Sequence, residues 1–149
     1  MEWQVVETEP IYALMARGTC TLQDIGQLIS NLFGSIIQKN PEAECISPPR
    51  VYYTVVDEGT YEIEAALEVE EGTPVGAGTA VKRYPGGKCL TATHVGSYEG
   101  LHSTWMQLWQ VIQAQGFQPN GDPYDLYVTD PGSEPNPANW VTELYVPIA

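Results

Sequence analysis

The sequence predicts an α+β fold, a duplicated βαββ unit whose antiparallel sheet carries two helices on one face. Three observations predict it: two apolar stripes at helical spacing, six strand-like runs separated by turn residues, and the order strand, helix, strand, strand occurring twice.

The first stripe is Leu22, Ile25, Leu28, Ile29, Leu32, Phe33, Ile36 and Ile37, the spacing of one helix face. Thr21 is placed to cap it by accepting from the backbone N–H of Asp24, and Asn40-Pro41 ends it. The second stripe, Leu101, Trp105, Leu108, Trp109 and Ile112, follows Ser97 or Glu99 and stops at Gly116. Strands are expected over Trp3 to Met15, Val51 to Val56, Tyr61 to Val69, Cys89 to Val95, Tyr124 to Thr129 and Trp140 to Ile148. Turns are expected at Asp57-Glu58-Gly59, Tyr84-Pro85-Gly86-Gly87, Asn120-Gly121-Asp122-Pro123 and from Asp130-Pro131-Gly132 through Pro137. In each half a strand ends at glycine, a helix follows, and a proline leads into a strand with Tyr four residues on, Pro49 to Tyr53 and Pro123 to Tyr127. Neither half hides its sheet face alone, so residues 1–149 are expected to form one domain, with repeat one at about 1–83 and repeat two at about 84–149.

Composition narrows the partners. The 149 residues are 43% hydrophobic and 17% charged, with nine Tyr and four Trp, which suits a folded domain. Six Lys and Arg against nineteen Asp and Glu give a net charge of -13, which repels phosphate backbones and anionic lipid. Direct nucleic-acid and membrane partners are therefore not expected. No signal-peptide pattern opens the chain and no apolar run approaches the ~20 residues that span a bilayer, so a cytoplasmic location is expected. Cys20, Cys45 and Cys89 form no CxxC pair, and neither a disulfide framework nor a metal or other cofactor is indicated.

Strand alternation separates two faces. Along 61–69, Tyr61, Ile63, Ala65, Leu67 and Val69 are apolar, and a solvated opposite face accounts for Glu62, Glu64 and Glu68. In the last strand Thr142, Leu144 and Val146 are expected against the helices, leaving Val141, Glu143 and Tyr145 on the far side. With Tyr124, Leu126 and Val128 assigned to the core, Asp125 and Tyr127 join Glu143 and Tyr145. Carboxylates among aromatic rings attract flat organic cations through charge and ring quadrupoles. Glu143 and Asp125 would supply the charge, and Tyr127, Tyr145 and Trp109 or Tyr53 the walls.

His94-Val95-Gly96-Ser97-Tyr98, the Trp109 helix ending at Gly116-Phe117, Pro123-Tyr124-Asp125-Leu126-Tyr127-Val128 and Thr142-Glu143-Leu144-Tyr145-Val146-Pro147 together resemble the second half of the GyrI-like small-molecule-binding domain. This is the effector-binding domain of multidrug-responsive transcription activators. The resemblance covers roughly the last sixty residues well and the first half in pattern. It implies duplicated SHS2 modules with a ligand cleft between the repeats, and diverse lipophilic, often cationic aromatic ligands held by an acid amid aromatic rings. It places Glu143 and Asp125 in acid positions, Tyr127 in a tyrosine position and Trp109 in the helix-tryptophan position. Asp125 departs from the usual Glu by one methylene. Regulators with this domain also carry a helix-turn-helix domain, for which this sequence has no basic segment, so a stand-alone member is expected.

Three functions follow from the resemblance. The first is multidrug binding or sequestration without turnover. The second is hydrolysis of cyclopropanoid compounds, with Glu143 as base and Tyr127 or Tyr145 as acid or orienting group. The third is a gyrase-interacting inhibitor. His94 and His102 read as structural groups rather than ligands, Trp105 as core packing, Cys20 and Cys89 as core thiols, and Tyr84 through Lys88 as a turn.

Overall fold

Proline interrupts the first expected strand. Pro10 has no N–H to give a ladder, and the run from Trp3 divides there into two strands with different partners. The computed structural model describes residues 1–130 and 132–149, so the expected turn at Asp130-Pro131-Gly132 lies outside the described residues at Pro131. Along the chain run β1 (Trp3–Thr8), β2 (Ile11–Thr21), α1 (Ile25–Lys39), β3 (Arg50–Asp57), β4 (Thr60–Val69), β5 (Ala80–Tyr84), β6 (Gly87–Val95), α2 (Leu101–Gln115), β7 (Tyr124–Tyr127) and β8 (Val141–Pro147). The mixed α+β class, the antiparallel ladders and the two helices are as expected. Strand β5, with Lys82 and Arg83 among five residues, is additional.

The residues fall into two contact units. One is Glu9–Gly86 and the other combines Met1–Thr8 with Gly87–Ala149. In the first, β4 pairs with β3 on one side and β2 on the other, and β2 continues to β5. In the second, β8 pairs with β7 and β6, and β6 continues to β1. Each unit therefore holds a βαββ repeat, β2-α1-β3-β4 or β6-α2-β7-β8, with one added edge strand.

Helix α1 lies on the face of its sheet that bears Gly18. A Cβ there would stand 2.9 Å from Leu28 Cδ1, so the absent side chain admits the helix, and Leu32 and Ile36 are buried beneath it. The helix begins differently from expectation. Thr21 donates to the Asp24 carboxylate at 3.3 Å and caps no backbone N–H, because a 3-10 turn over Leu22–Asp24 precedes the α-helix. Helix α2 buries Leu108 and Ile112 against Leu90, Ala92, Leu144, Val146 and Ile148. Each such side chain contributes about 1.5–3 kcal/mol of transfer free energy. The helix ends at Gly116, whose φ of 74° suits the left-handed cap that glycine adopts without strain.

Candidate functional site

Residues directly opposite across an antiparallel ladder project to the same face, so the registers assign every strand residue to a side. In the second unit Leu144 lies opposite Ala92 and Asp125, and Thr142 opposite His94 and Tyr127. These are the α2 side. Glu143 lies opposite Thr93 and Leu126, and Tyr145 opposite Thr91 and Tyr124, on the other side.

The expected site is thereby divided. Glu143 and Tyr145 share a face as expected, but Asp125 and Tyr127 are under α2, and Tyr124 and Leu126 take the places assigned to them beside Glu143. The reason for the inversion is tertiary. Trp105 of α2 donates its indole N–H to Asp125 Oδ1 at 2.8 Å and Tyr127 donates its hydroxyl to Oδ2 at 3.2 Å, so a fully buried carboxylate is satisfied where polarity alone forbids one. Tyr98 packs edge-on against Tyr127 at 5.5 Å and on Trp140 at 4.9 Å. Burial, and then the charges of Asp125 and Asp130, push the Tyr98 phenol above its ordinary pKa. Trp109 is half-buried, packed against the α2 core and 6.2 Å from Trp105. Tyr53, half-buried in the first unit, lies opposite Ile63, which is opposite Gly18, so it too is on the helix side of its own sheet.

On the opposite face Tyr145 donates its hydroxyl to Glu143 Oε1 at 2.9 Å and stacks on the buried Tyr124, ring centroids 4.9 Å apart and planes within 8°. Glu143 is half-buried. Among the described residues no Lys, Arg or His forms an ion pair with it. Among the described residues it therefore has no counter-ion and accepts one hydrogen bond, on Oε1, beside two parallel phenol rings. Such a place can receive a cation or an N–H donor on a flat apolar body.

The first unit holds a related cluster that alternation assigned to solvent. Glu64 is only 8% exposed. It accepts from Lys82 Nζ at 3.0 Å on each oxygen, from Arg17 Nη2 at 2.8 Å and from the Tyr84 hydroxyl at 2.9 Å. Tyr84 stacks on Tyr52 at 4.4 Å and 9°, and Lys82 lies 4.9 Å over the Tyr84 ring. Burial first, then the Glu64 charge and hydrogen bond, drive the Tyr84 phenol far above its usual range.

His94 Nδ1 and Nε2 meet Thr104 Oγ1 at 2.7 Å and the Ser97 carbonyl at 2.8 Å, which ties β6 to the start of α2. Among the described residues no group of three or more His, Cys, Asp or Glu is arranged to hold a metal ion, and no helix is long and apolar enough to cross a membrane. A groove lined by Thr19, Cys20, Thr21, Asp24, Gln27, Leu28, Asn31 and Thr60 opens at the start of α1. Burial raises the pKa of the Cys20 thiol, and Asp24 adds to this, which holds it in the unreactive form.

The C-terminal domain of EcmrR has 17% sequence identity and a TM-score of 0.84, the match covering 99% of this chain and 97% of that one. The match to EcmrR in its DNA complex covers only 57% of that longer chain. SAV2435 bound to tetraphenylphosphonium has 13% identity and a TM-score of 0.79, covering 100% of this chain and 94% of that one. A hydrolase from Listeria innocua has 15% identity and a TM-score of 0.67, covering 99% and 92%. At these identities the likeness is one of fold. No curated protein sequence matches the chain. The family model of the GyrI-like small molecule binding domain matches residues 1–149, and the chain belongs to that family.

Proposed function

We propose that the protein binds lipophilic aromatic cations, with Glu143 as the charge partner and Tyr145, backed by the buried Tyr124, as the ring surface. The observation that carries this is the half-buried Glu143 carboxylate, which accepts one hydrogen bond, from Tyr145 at 2.9 Å, and has no ion-pair partner among the described residues. A half-buried carboxylate is less fully hydrated than one in open water, and a ligand cation supplies the matching charge. Membership of a small-molecule-binding family and the tetraphenylphosphonium held by the structural neighbour SAV2435 support the reading. Asp125, Tyr127, Trp105 and Trp109 act in this reading as the satisfied support under α2. The test is a fluorescence titration with a panel of cationic and neutral dyes of one size. Glu143→Gln is expected to lose about tenfold or more in affinity for the cationic dyes and little for the neutral ones. Equal loss for both, or for neither, would refute the electrostatic role.

Hydrolysis is a second reading, favoured by the Tyr145–Glu143 hydrogen bond, since a phenol held on a carboxylate is an arrangement that general acid–base catalysis uses. It requires turnover of a cyclopropane-containing substrate that Glu143→Gln abolishes. Binding of that compound without turnover would leave binding as the sole activity.

A further inference from the structure

Glu64 and Glu143 hold the same position in the two repeats. The third residue after the proline that opens β3 is Tyr52, and it lies opposite Glu64; the third after the proline that precedes β7 is Leu126, and it lies opposite Glu143. On the other flank Glu64 faces Arg17 of β2, whereas Glu143 faces the exposed Thr93 of β6. Each carboxylate also accepts a phenol hydroxyl at 2.9 Å from a tyrosine stacked parallel on a second tyrosine. The two differ in their cations. Glu64 has Arg17 and Lys82; Glu143 has none among the described residues.

We infer that the Glu143 site selects cations that carry N–H donors, protonated amines or guanidines on an aromatic body, over cations whose charged atom is fully substituted. This rests on the reading of Glu143 as a cation site and names the class of cation. The filled copy of the site supplies the pattern. Lys82 Nζ stands 3.0 Å from both Glu64 oxygens while lying 4.9 Å over the Tyr84 ring, and Arg17 reaches Glu64 at 2.8 Å. Both cations approach through hydrogens, at distances that a charged centre wrapped in methyl or phenyl groups cannot reach. Charge-assisted N–H···O bonds are short and directional, and they add to the ring-face attraction that both classes of cation share. Tyr145 occupies one Glu143 oxygen, which leaves the other for the ligand's N–H. Thr93, where repeat one has arginine, leaves the room that a ligand cation fills.

The experiment compares 1-naphthylmethylammonium with its N,N,N-trimethyl analogue by calorimetric titration of the wild-type protein, Glu143→Gln and Thr93→Arg. The primary ammonium is expected to bind wild type at least about tenfold more tightly than the trimethyl compound. Glu143→Gln is expected to erase that difference. Thr93→Arg, which restores the cation of repeat one at an exposed position, is expected to weaken the primary ammonium as far as Glu143→Gln does. If both compounds bind equally and both depend on Glu143, selection by N–H is overturned and the cation site stands. If neither depends on Glu143, the cation site itself is overturned. Primary-ammonium binding left unchanged by Thr93→Arg would overturn the correspondence between the repeats.

Discussion

Glu64 and Glu143 stand at one position of a duplicated motif, and the protein treats them oppositely. Glu64 is saturated by Lys82, Arg17 and Tyr84 and is 8% exposed; Glu143 is half-buried and, among the described residues, has a single phenol partner. A carboxylate with its cations built in is a piece of structure. One at the equivalent ladder position without them is, on the proposed reading, open to a ligand's charge. The difference comes down to residues such as Arg17 against Thr93, and on the proposed reading it separates a role in stability from a role in binding.

A third carboxylate sets the upper end of the scale. Asp125 is fully buried and accepts from Trp105 and Tyr127, so Asp125→Ala removes both of these hydrogen bonds from a buried place. It is expected to cost about 3 kcal/mol in denaturant unfolding. A cost under about 1 kcal/mol would show that the α2 side does not depend on this network. Glu64→Gln comes next. Breaking a buried pair costs about 3–5 kcal/mol, but Lys82 and Arg17 side chains are 39% and 54% exposed, so solvent screening reduces the expected loss to about 2 kcal/mol. Glu143→Gln is expected to change stability by less than about 0.5 kcal/mol, because no ion pair is broken and the amide oxygen still accepts from Tyr145. Equal costs for the two glutamates would remove the contrast between them.

Tyr84 sharpens the comparison through pH. Its folded pKa is raised, so the native state holds the phenol proton that the unfolded chain gives up near pH 10. Its contribution is complete below that pH and declines as pH rises above it. Unfolding free energies measured from pH 9 to 11 are expected to fall more steeply for wild type than for Tyr84→Phe. Parallel profiles would mean that the Glu64 cluster does not hold the phenol neutral. The smallest effect is ionic. Raising salt from about 0.05 to 0.5 M shortens the screening length and is expected to weaken cation binding a few-fold, while binding of a neutral dye of equal size stays constant.

Much of this was legible in the sequence. Helical spacing located α1 and α2, and alternation placed Glu143 and Tyr145 opposite Leu144 and Val146. Other features depend on distant partners and left no local signal. Strand β7 has only four residues, with tyrosines on both parities, so polarity decided its facing and assigned Asp125 to the wrong side. The Trp105 indole that reverses the assignment lies 20 residues earlier. Glu64 resembled a solvated strand acid because its cations come from Arg17 on β2 and Lys82 on a strand with no apolar alternation. The equivalence of the two glutamates was half visible in the aligned prolines, Pro49 and Pro123. Only the registers that set Tyr52 against Glu64 and Leu126 against Glu143 complete it.

The most direct test is a crystal structure of the protein with 1-naphthylmethylammonium. The ammonium nitrogen is predicted within about 3 Å of a Glu143 carboxylate oxygen, with the naphthyl ring against Tyr145. A ligand bound away from Glu143, with that carboxylate still held by Tyr145 alone, would contradict the account.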